Sequence, residues 1–225
     1  MTRQKLEQAI KAKTNWFHSI DFGKGLISPG RVPLEAKQRF LKTLNLPSLK
    51  NKTVLDIGAW DGFWSFEAER RGAQVTALDS YCWNGPGTGD KKGFDLAHKW
   101  FNSKVKTIEM DVIDICPEKT GQYDIVFFFA VLYHMKHPLL ALEKVASVTK
   151  EVAIIETHLN LNTIPTPAMA FYPGTELNGD GSNWFSPNIP AMTGMLQTAG
   201  FKHSKYKIHR TINENQARGL FYAYK

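Results

Sequence analysis

Three acids, Asp56, Asp79 and Asp111, each close a short apolar run, and two glycines, Gly58 and Gly62, follow the first of them in "VLDIGAWDGFWSFEAERRGAQVTALD". Acids at strand ends beside a glycine turn are suited to hydrogen-bonding a flat polar ligand rather than to metal or nucleophile chemistry. Dinucleotide turns need glycine at positions one, three and six. Here those positions are Gly58, Trp60 and Phe63, and the indole of Trp60 fills the space a pyrophosphate needs. No Gly-Lys-Ser/Thr follows, so a phosphate loop is excluded as well. The ligand is therefore expected to lack phosphate.

Each feature has an expected partner. Gly58 lets the backbone lie against the ligand, and free N–H groups at the helix start near Gly62 suit a carboxylate. Asp56 attracts an ammonium group. Asp79, with Ser80 beside it, accepts from a ribose diol, as acids do in related folds. Asp111 accepts from an adenine amino group while the Val112 N–H meets a ring nitrogen. Trp60 and Ala130 complete the expected cofactor contacts. An amino acid, a ribose and an adenine together describe S-adenosyl-L-methionine.

A second group of residues has the types needed for proton transfer. His134 follows the apolar run "IVFFFAVL", His158 follows "EVAIIET", and His18 lies near the N-terminus. Imidazole titrates near neutrality and serves as a general base. His134 is the first candidate, His158 the second. Tyr133 joins the two as a catalytic candidate; Glu156, which could instead orient a histidine, Tyr172, Asn183 and Trp184 are grouped with His18 around an acceptor. His137, His158 and Glu156 have no recognised metal-ligand spacing, so no metal is expected.

The elements that must position these groups alternate. "TVLDIG", "QVTALD", "KVKTIEMD", "YDIVFFFAVL" and "EVAIIET" read as strands, separated by helices at 62–71, up to about Phe101, and from Pro138 to Val148. A last helix, "SPNIPAMTGMLQTAG", precedes two closing strands, "KYKIHRT" and "ARGLFYAY". This order predicts an α/β fold: a mostly parallel seven-stranded sheet with a C-terminal antiparallel hairpin and helices on both faces. Leu6, Ile10, Phe17 and Ile20 keep one helical face apolar, so the first twenty residues read as an amphipathic helix, and Pro33 opens a second through about Leu44. Residues 1–49 are expected to form a helical cap over the cofactor site and residues 50–225 the core. The Pro-, Gly- and Asn-rich stretch at about 158–186 is expected to be a lid, because long loops in compact domains are usually functional.

Bulk properties set wider limits. The chain has 225 residues, a net charge of +7 and two cysteines, Cys82 and Cys116, too few and too far apart for a disulfide framework. The first residues lack the apolar stretch of a signal peptide, and the eight-residue apolar run cannot span a bilayer. A cytoplasmic protein with no membrane association is expected. The positive charge admits an acidic partner such as tRNA, but the basic residues are scattered, except for "KHSKYKIHR" at 202–210, where they alternate as on an exposed strand face.

"VLDIGAWDGFWS", "ALD", "EMDV" and the apolar fourth strand together resemble the class I S-adenosylmethionine-dependent methyltransferases, from about Lys50 to Lys225. That resemblance implies a Rossmann-like fold and S-adenosyl-L-methionine as cofactor. "WFHSIDFGKGLISPG", "VLYHMKHPLLAL" and "DGSNWFSPNIPAMTGMLQTAGF" are similar to the tRNA wobble-uridine (carboxymethyl)methyltransferase-like branch. In its best-known member a tyrosine in the segment matching "VLYH" contacts the extra carboxylate of a carboxylated donor, and Tyr133 holds that position. The lysine–tryptophan set that helps bind that carboxylate has no counterpart before the core, and "NENQARGLF" follows the branch only loosely around Arg218. The resemblance therefore implies ordinary methyl transfer to a small-molecule acceptor, most simply a hydroxyl. The alternatives are a tRNA wobble-uridine modifying enzyme and a catalytically silent cofactor-binding module acting through a partner.

Overall fold

The computed structural model describes residues 1–87 and 89–225; Thr88, in the glycine-rich loop, lies outside the described residues. The chain divides into two compact units, Met1–Asp111 and Val112–Lys225. The first contains helices α1 (Arg3–Ala12) and α2 (Leu34–Thr43), then strand β1 (Thr53–Ile57), helix α3 (Phe63–Arg70), β2 (Gln74–Asp79), α4 (Lys92–Phe101) and β3 (Lys106–Glu109). β1 pairs in parallel with β2, Val54 opposite Val75, and β2 pairs in parallel with β3. Val54, Leu55, Ala77 and Leu78 are fully buried, as is Phe94 of α4, as β-branched and aliphatic runs in parallel strands must be. α3 ends where Gly72 takes a left-handed φ of 89°, a conformation glycine adopts without a Cβ clash.

The second unit contains α5 (Pro117–Thr120), β4 (Tyr123–Phe129), α6 (Pro138–Val148), β5 (Thr149–Leu159), β6 (Met169–Phe171), β7 (Phe185–Pro187), α7 (Ile189–Thr198), β8 (His203–Thr211) and β9 (Ala217–Tyr224). β4 and β5 are parallel, Phe127 opposite Ile154. β9 runs antiparallel between β5 and β8. The seven strands follow the order β3-β2-β1-β4-β5-β9-β8. The mostly parallel sheet with its antiparallel C-terminal hairpin is thus as the alternation of elements predicts. Pro138 starts α6, where its missing N–H is one of the groups the helix leaves unbonded anyway.

Three expectations change. The first helix stops at Ala12, because Lys13 turns extended and its buried ammonium pairs with Asp90 at 2.8 Å. Phe17 and Ile20 share the apolar pattern but lie in irregular backbone. β5 runs to Leu159, so His158 lies inside the strand, opposite Arg218 of β9. The stretch read as an unstructured lid holds a small two-stranded sheet, β6 against β7. Asn188 organises it: its carboxamide accepts from the Ala168 and Ala191 N–H groups and donates to the carbonyls of Ile164 and Thr166. Among the described residues no helix is long and apolar enough to cross a membrane.

Candidate functional site

In the first unit the turn after β1 has three left-handed residues: Gly58 (φ 79°), Trp60 (45°) and Gly62 (84°). A Cβ on Gly62 would lie 2.6 Å from the rings of Phe66 and Phe94, so only glycine fits there. The Gly58 N–H bonds the Leu78 carbonyl at 2.8 Å, which ties the turn to β2. Asp79 ends β2 buried, accepting from the Trp60 N–H and the Cys82 N–H, both at 3.0 Å. Burial raises its pKa. A carboxylate has about four acceptor positions, so Asp79 retains capacity for further donors. Ser80 follows it, half-buried.

Asp56 is 2% exposed and accepts from the Ser65 hydroxyl at 2.5 Å. Burial pushes its pKa up to about 7, against the pull of that hydrogen bond. That bond ties Asp56 to α3 and helps to fix the turn, beside the role expected of it in attracting an ammonium group directly or through water. Asp61, which the sequence reading passed over, is fully buried. Its Oδ2 accepts from the N–H groups of Phe17 (2.7 Å) and His18 (3.0 Å), and Lys13 lies 3.9 Å from its Oδ1. Residues 13–18 are thereby clamped to the glycine turn, with the Phe17 ring stacked on Trp60 at 4.2 Å. His18 is buried, and burial, then the nearby Lys37 charge, hold its pKa well below the usual imidazole value. Lys37 was also missed. Its ammonium lies 5.1–5.8 Å from the ring centres of Trp64, Phe63 and Phe17, and only a fold brings α2 to those rings.

His18 Nδ1 and Trp60 Nε1 are buried and find no partner among the described residues. Buried polar groups are normally satisfied. An unpaired acceptor or donor at each, with the spare lone pairs of Asp79, fits a ligand carrying amine, carboxylate and hydroxyl groups. Asp111 is exposed at the end of the first unit, and Val112, buried, opens a 3-10 turn in the second. Ala130, half-buried at φ 59°, donates its N–H to the Glu156 carbonyl.

In the second unit a 3-10 turn, Leu132–His134, follows β4. Tyr133 and Trp184 are joined by the Trp184 N–H to the Tyr133 carbonyl at 2.7 Å. The His134 Nδ1 lies 3.0 Å from both the carbonyl and the hydroxyl oxygen of Ser182, and burial lowers its pKa. Asn183 is buried; its Nδ2 donates to the Leu177 carbonyl while its Oδ1 has no partner among the described residues. Tyr172 is buried, with its hydroxyl accepting from Asn160. The fold therefore gathers Tyr133, His134, Asn183 and Trp184 at one turn. His158 is apart from that contact set: its Nδ1 is 2.9 Å from the Ser186 hydroxyl, and burial brings its pKa down to about 4.

Glu156, expected to bind substrate or to orient a histidine, is held by an arginine and a histidine. Arg218 grips both its oxygens at 2.6 and 2.7 Å, and His209 Nε2 donates at 2.9 Å. Burial alone would raise its pKa; Arg218 and His209 outweigh that and hold it at about 2. The Arg218 guanidinium also sits 4.8 Å from the Tyr133 ring centre. Among the described residues no group of three His, Cys, Asp or Glu side chains is placed to hold a metal.

A family model described as a methyltransferase domain matches residues 31–205. The chain belongs to the methyltransferase domain family. The class I S-adenosylmethionine-dependent family read from the strand-end motifs is thus its family, and the enzyme class and S-adenosyl-L-methionine as cofactor go with it. This methyltransferase domain is 26% identical over 169 residues to the tRNA U34 carboxymethyltransferase of Helicobacter pylori (strain G27), covering 71% of this chain and 59% of that protein. It is 26% identical to the protein of that name from Pasteurella multocida (strain Pm70), covering 71% and 48%. The chain thus spans about three-fifths or less of the length of these curated relatives. Among solved structures, the N-terminal domain of EvdMO1 with SAH bound matches with a TM-score of 0.74 at 15% identity, covering 100% of this chain and 97% of that one. An S-adenosylmethionine-dependent methyltransferase from Mesorhizobium loti matches with a TM-score of 0.60 at 13% identity, covering 85% and 97%. These likenesses show the fold.

Proposed function

We propose that this methyltransferase domain moves a methyl group to a hydroxyl of a small-molecule acceptor, with His134 as general base. One observation carries the reading. The Ser182 carbonyl 3.0 Å from His134 Nδ1 can only accept, which favours a proton on Nδ1 and leaves Nε2 as the basic nitrogen. The buried Asn183 Oδ1 on the adjoining segment, without a partner among the described residues, supplies an acceptor for a further hydroxyl. When bound, S-adenosylmethionine supplies a methyl group already attached to a good leaving group. The chain's own work is to hold the acceptor and receive its proton. Asp79, the glycine turn and the clamped residues 13–18 are assigned to the donor, which also supports a capping role for the N-terminal segment.

The N-terminal domain of EvdMO1 was crystallised in the presence of SAH and D-fucose, which recommends hydroxyl-rich sugars as the first acceptors to try. The test is transfer of labelled methyl across a panel of sugars, phenols and tRNA, preceded by mass spectrometry of ligand co-purified with the protein. Transfer to small hydroxylated molecules supports the proposal. Exclusive modification of tRNA, with affinity falling steeply as salt rises, replaces it with the wobble-uridine alternative. Donor binding without turnover on any acceptor indicates a silent module.

Two binding results are expected. Asp79→Ala weakens S-adenosylmethionine binding by about 1.5–3 kcal/mol, the worth of hydrogen bonds to a charged group, as read by calorimetry. Unchanged affinity would remove Asp79 from the donor site. Ordinary S-adenosylmethionine is expected to bind at least about tenfold more tightly than its carboxylated relative, or about 1.4 kcal/mol. Ionised Glu156 already neutralises Arg218 beside Tyr133, so an extra carboxylate would meet no uncompensated cation there. Competition binding in favour of the carboxylated donor would reverse this assignment.

A further inference from the structure

His134 does not meet Ser182 alone. The Ser182 hydroxyl donates to Asp180 Oδ1 at 2.7 Å, and the Ser182 N–H donates to the same oxygen at 2.8 Å. The hydroxyl has one proton, and Asp180 takes it. Its oxygen can therefore only accept from His134 Nδ1, as the Ser182 carbonyl also does. The segment is held in place on both sides: the Asn183 N–H bonds the Asp180 carbonyl at 3.2 Å, and the Trp184 N–H bonds the Tyr133 carbonyl at 2.7 Å.

We propose that Asp180 and Ser182 are positioning residues which fix His134 as the Nδ1–H tautomer and stabilise the imidazolium formed when Nε2 takes a proton. The proposal rests on His134 as base and adds the relay that equips it. The hydroxyl proton of the acceptor passes to Nε2, giving a ring with two N–H groups and one positive charge. The Nδ1–H already points at two oxygens, with the Asp180 carboxylate behind one of them. No reorganisation is then needed when the charge appears, the condition under which fixed dipoles contribute most. The charged and polar groups acting on the ring are Asp180, which favours its protonation, Arg218, which opposes it, and the Ser182 carbonyl, which favours it. The Tyr133 ring lies beside it at 4.4 Å.

The test is nitrogen-15 NMR of the histidines in the full chain, with His134→Ala identifying the signal. The wild-type ring is expected as the Nδ1–H tautomer. Asp180→Asn and Ser182→Ala are each expected to lower the His134 pKa, and the double variant to lower it no further than the stronger single one, because both changes break one chain. Asp180 is exposed, so Asp180→Asn remains informative even if Ser182→Ala folds poorly. An Nε2–H tautomer in the wild type, or a pKa that neither substitution moves, would overturn the relay. If the tautomer and shifts are as expected while His134→Ala keeps full activity, the relay stands and the base assignment alone is lost.

Discussion

Glu156→Ala is expected to destabilise the protein by about 3–5 kcal/mol, the cost of leaving one partner of a buried ion pair uncompensated. The Glu156 side chain is 6% exposed and that of Arg218 16%, and Arg218 contacts both carboxylate oxygens. Removing the acid strands a guanidinium against Tyr133 and leaves His209 without the carboxylate it donates to. Glu156→Gln should cost less, because one oxygen still accepts while the charge is gone. The double variant Glu156→Ala with Arg218→Ala should cost less than the sum of the two single changes. Denaturant unfolding midpoints measure all four proteins.

The same pair sets an acid limit. Glu156 has its pKa depressed from the ordinary 4.5 to about 2. Its contribution is therefore complete above about pH 4.5 and is lost as pH falls towards 2. Wild-type stability should drop through that window more steeply than that of Glu156→Ala. An alanine variant within 1 kcal/mol of wild type, with the same acid profile, would show that the cluster is not supporting the fold.

Local signals made the strands and turns readable. Gln74–Asp79 and Ala217–Tyr224 are strands at the bounds their apolar patterns give, and Pro138–Val148 is a helix from its proline to its last apolar residue. These are cases in which neighbouring residues decide the outcome. The strand end at Asp79 and the turn at Gly58 were legible for the same reason, since both are written in consecutive residues. The partners of Asp61, Glu156 and Asn188 were not. Asp61 bonds Phe17 and His18 across 43–44 residues, Arg218 reaches Glu156 across 62, and Asn188 gathers carbonyls 22–24 residues away. An acid or amide that satisfies buried backbone looks, in sequence, like one on a surface. His158 lies within β5 rather than past it, because the strand continues two residues beyond "EVAIIET" and pairing with β9 rather than side-chain type extends it.

His134→Ala is expected to lower kcat by about 10²–10⁴-fold, the range that general base catalysis contributes, with donor affinity unchanged. Equal loss in kcat and in kcat/KM would mark an interaction made in the transition state rather than in binding. The pH dependence follows from burial. Desolvation disfavours the imidazolium and puts the His134 pKa below the ordinary 6.5, against the opposing pull of Ser182 and Asp180. Neutral imidazole is the basic form, so the rate should rise with pH through a pKa below 6.5 and be level at neutrality. His158 has its own pKa near 4 and is bonded to Ser186, so a limb lost in His158→Ala but kept in His134→Ala would transfer the role to it. His134→Ala also removes the contact to Ser182, so a thermal melt and a donor titration must accompany the kinetics. A variant that is folded, binds donor and retains kcat within threefold of wild type would leave His134 as the anchor of the 180–184 segment, with catalysis resting on alignment of the acceptor alone.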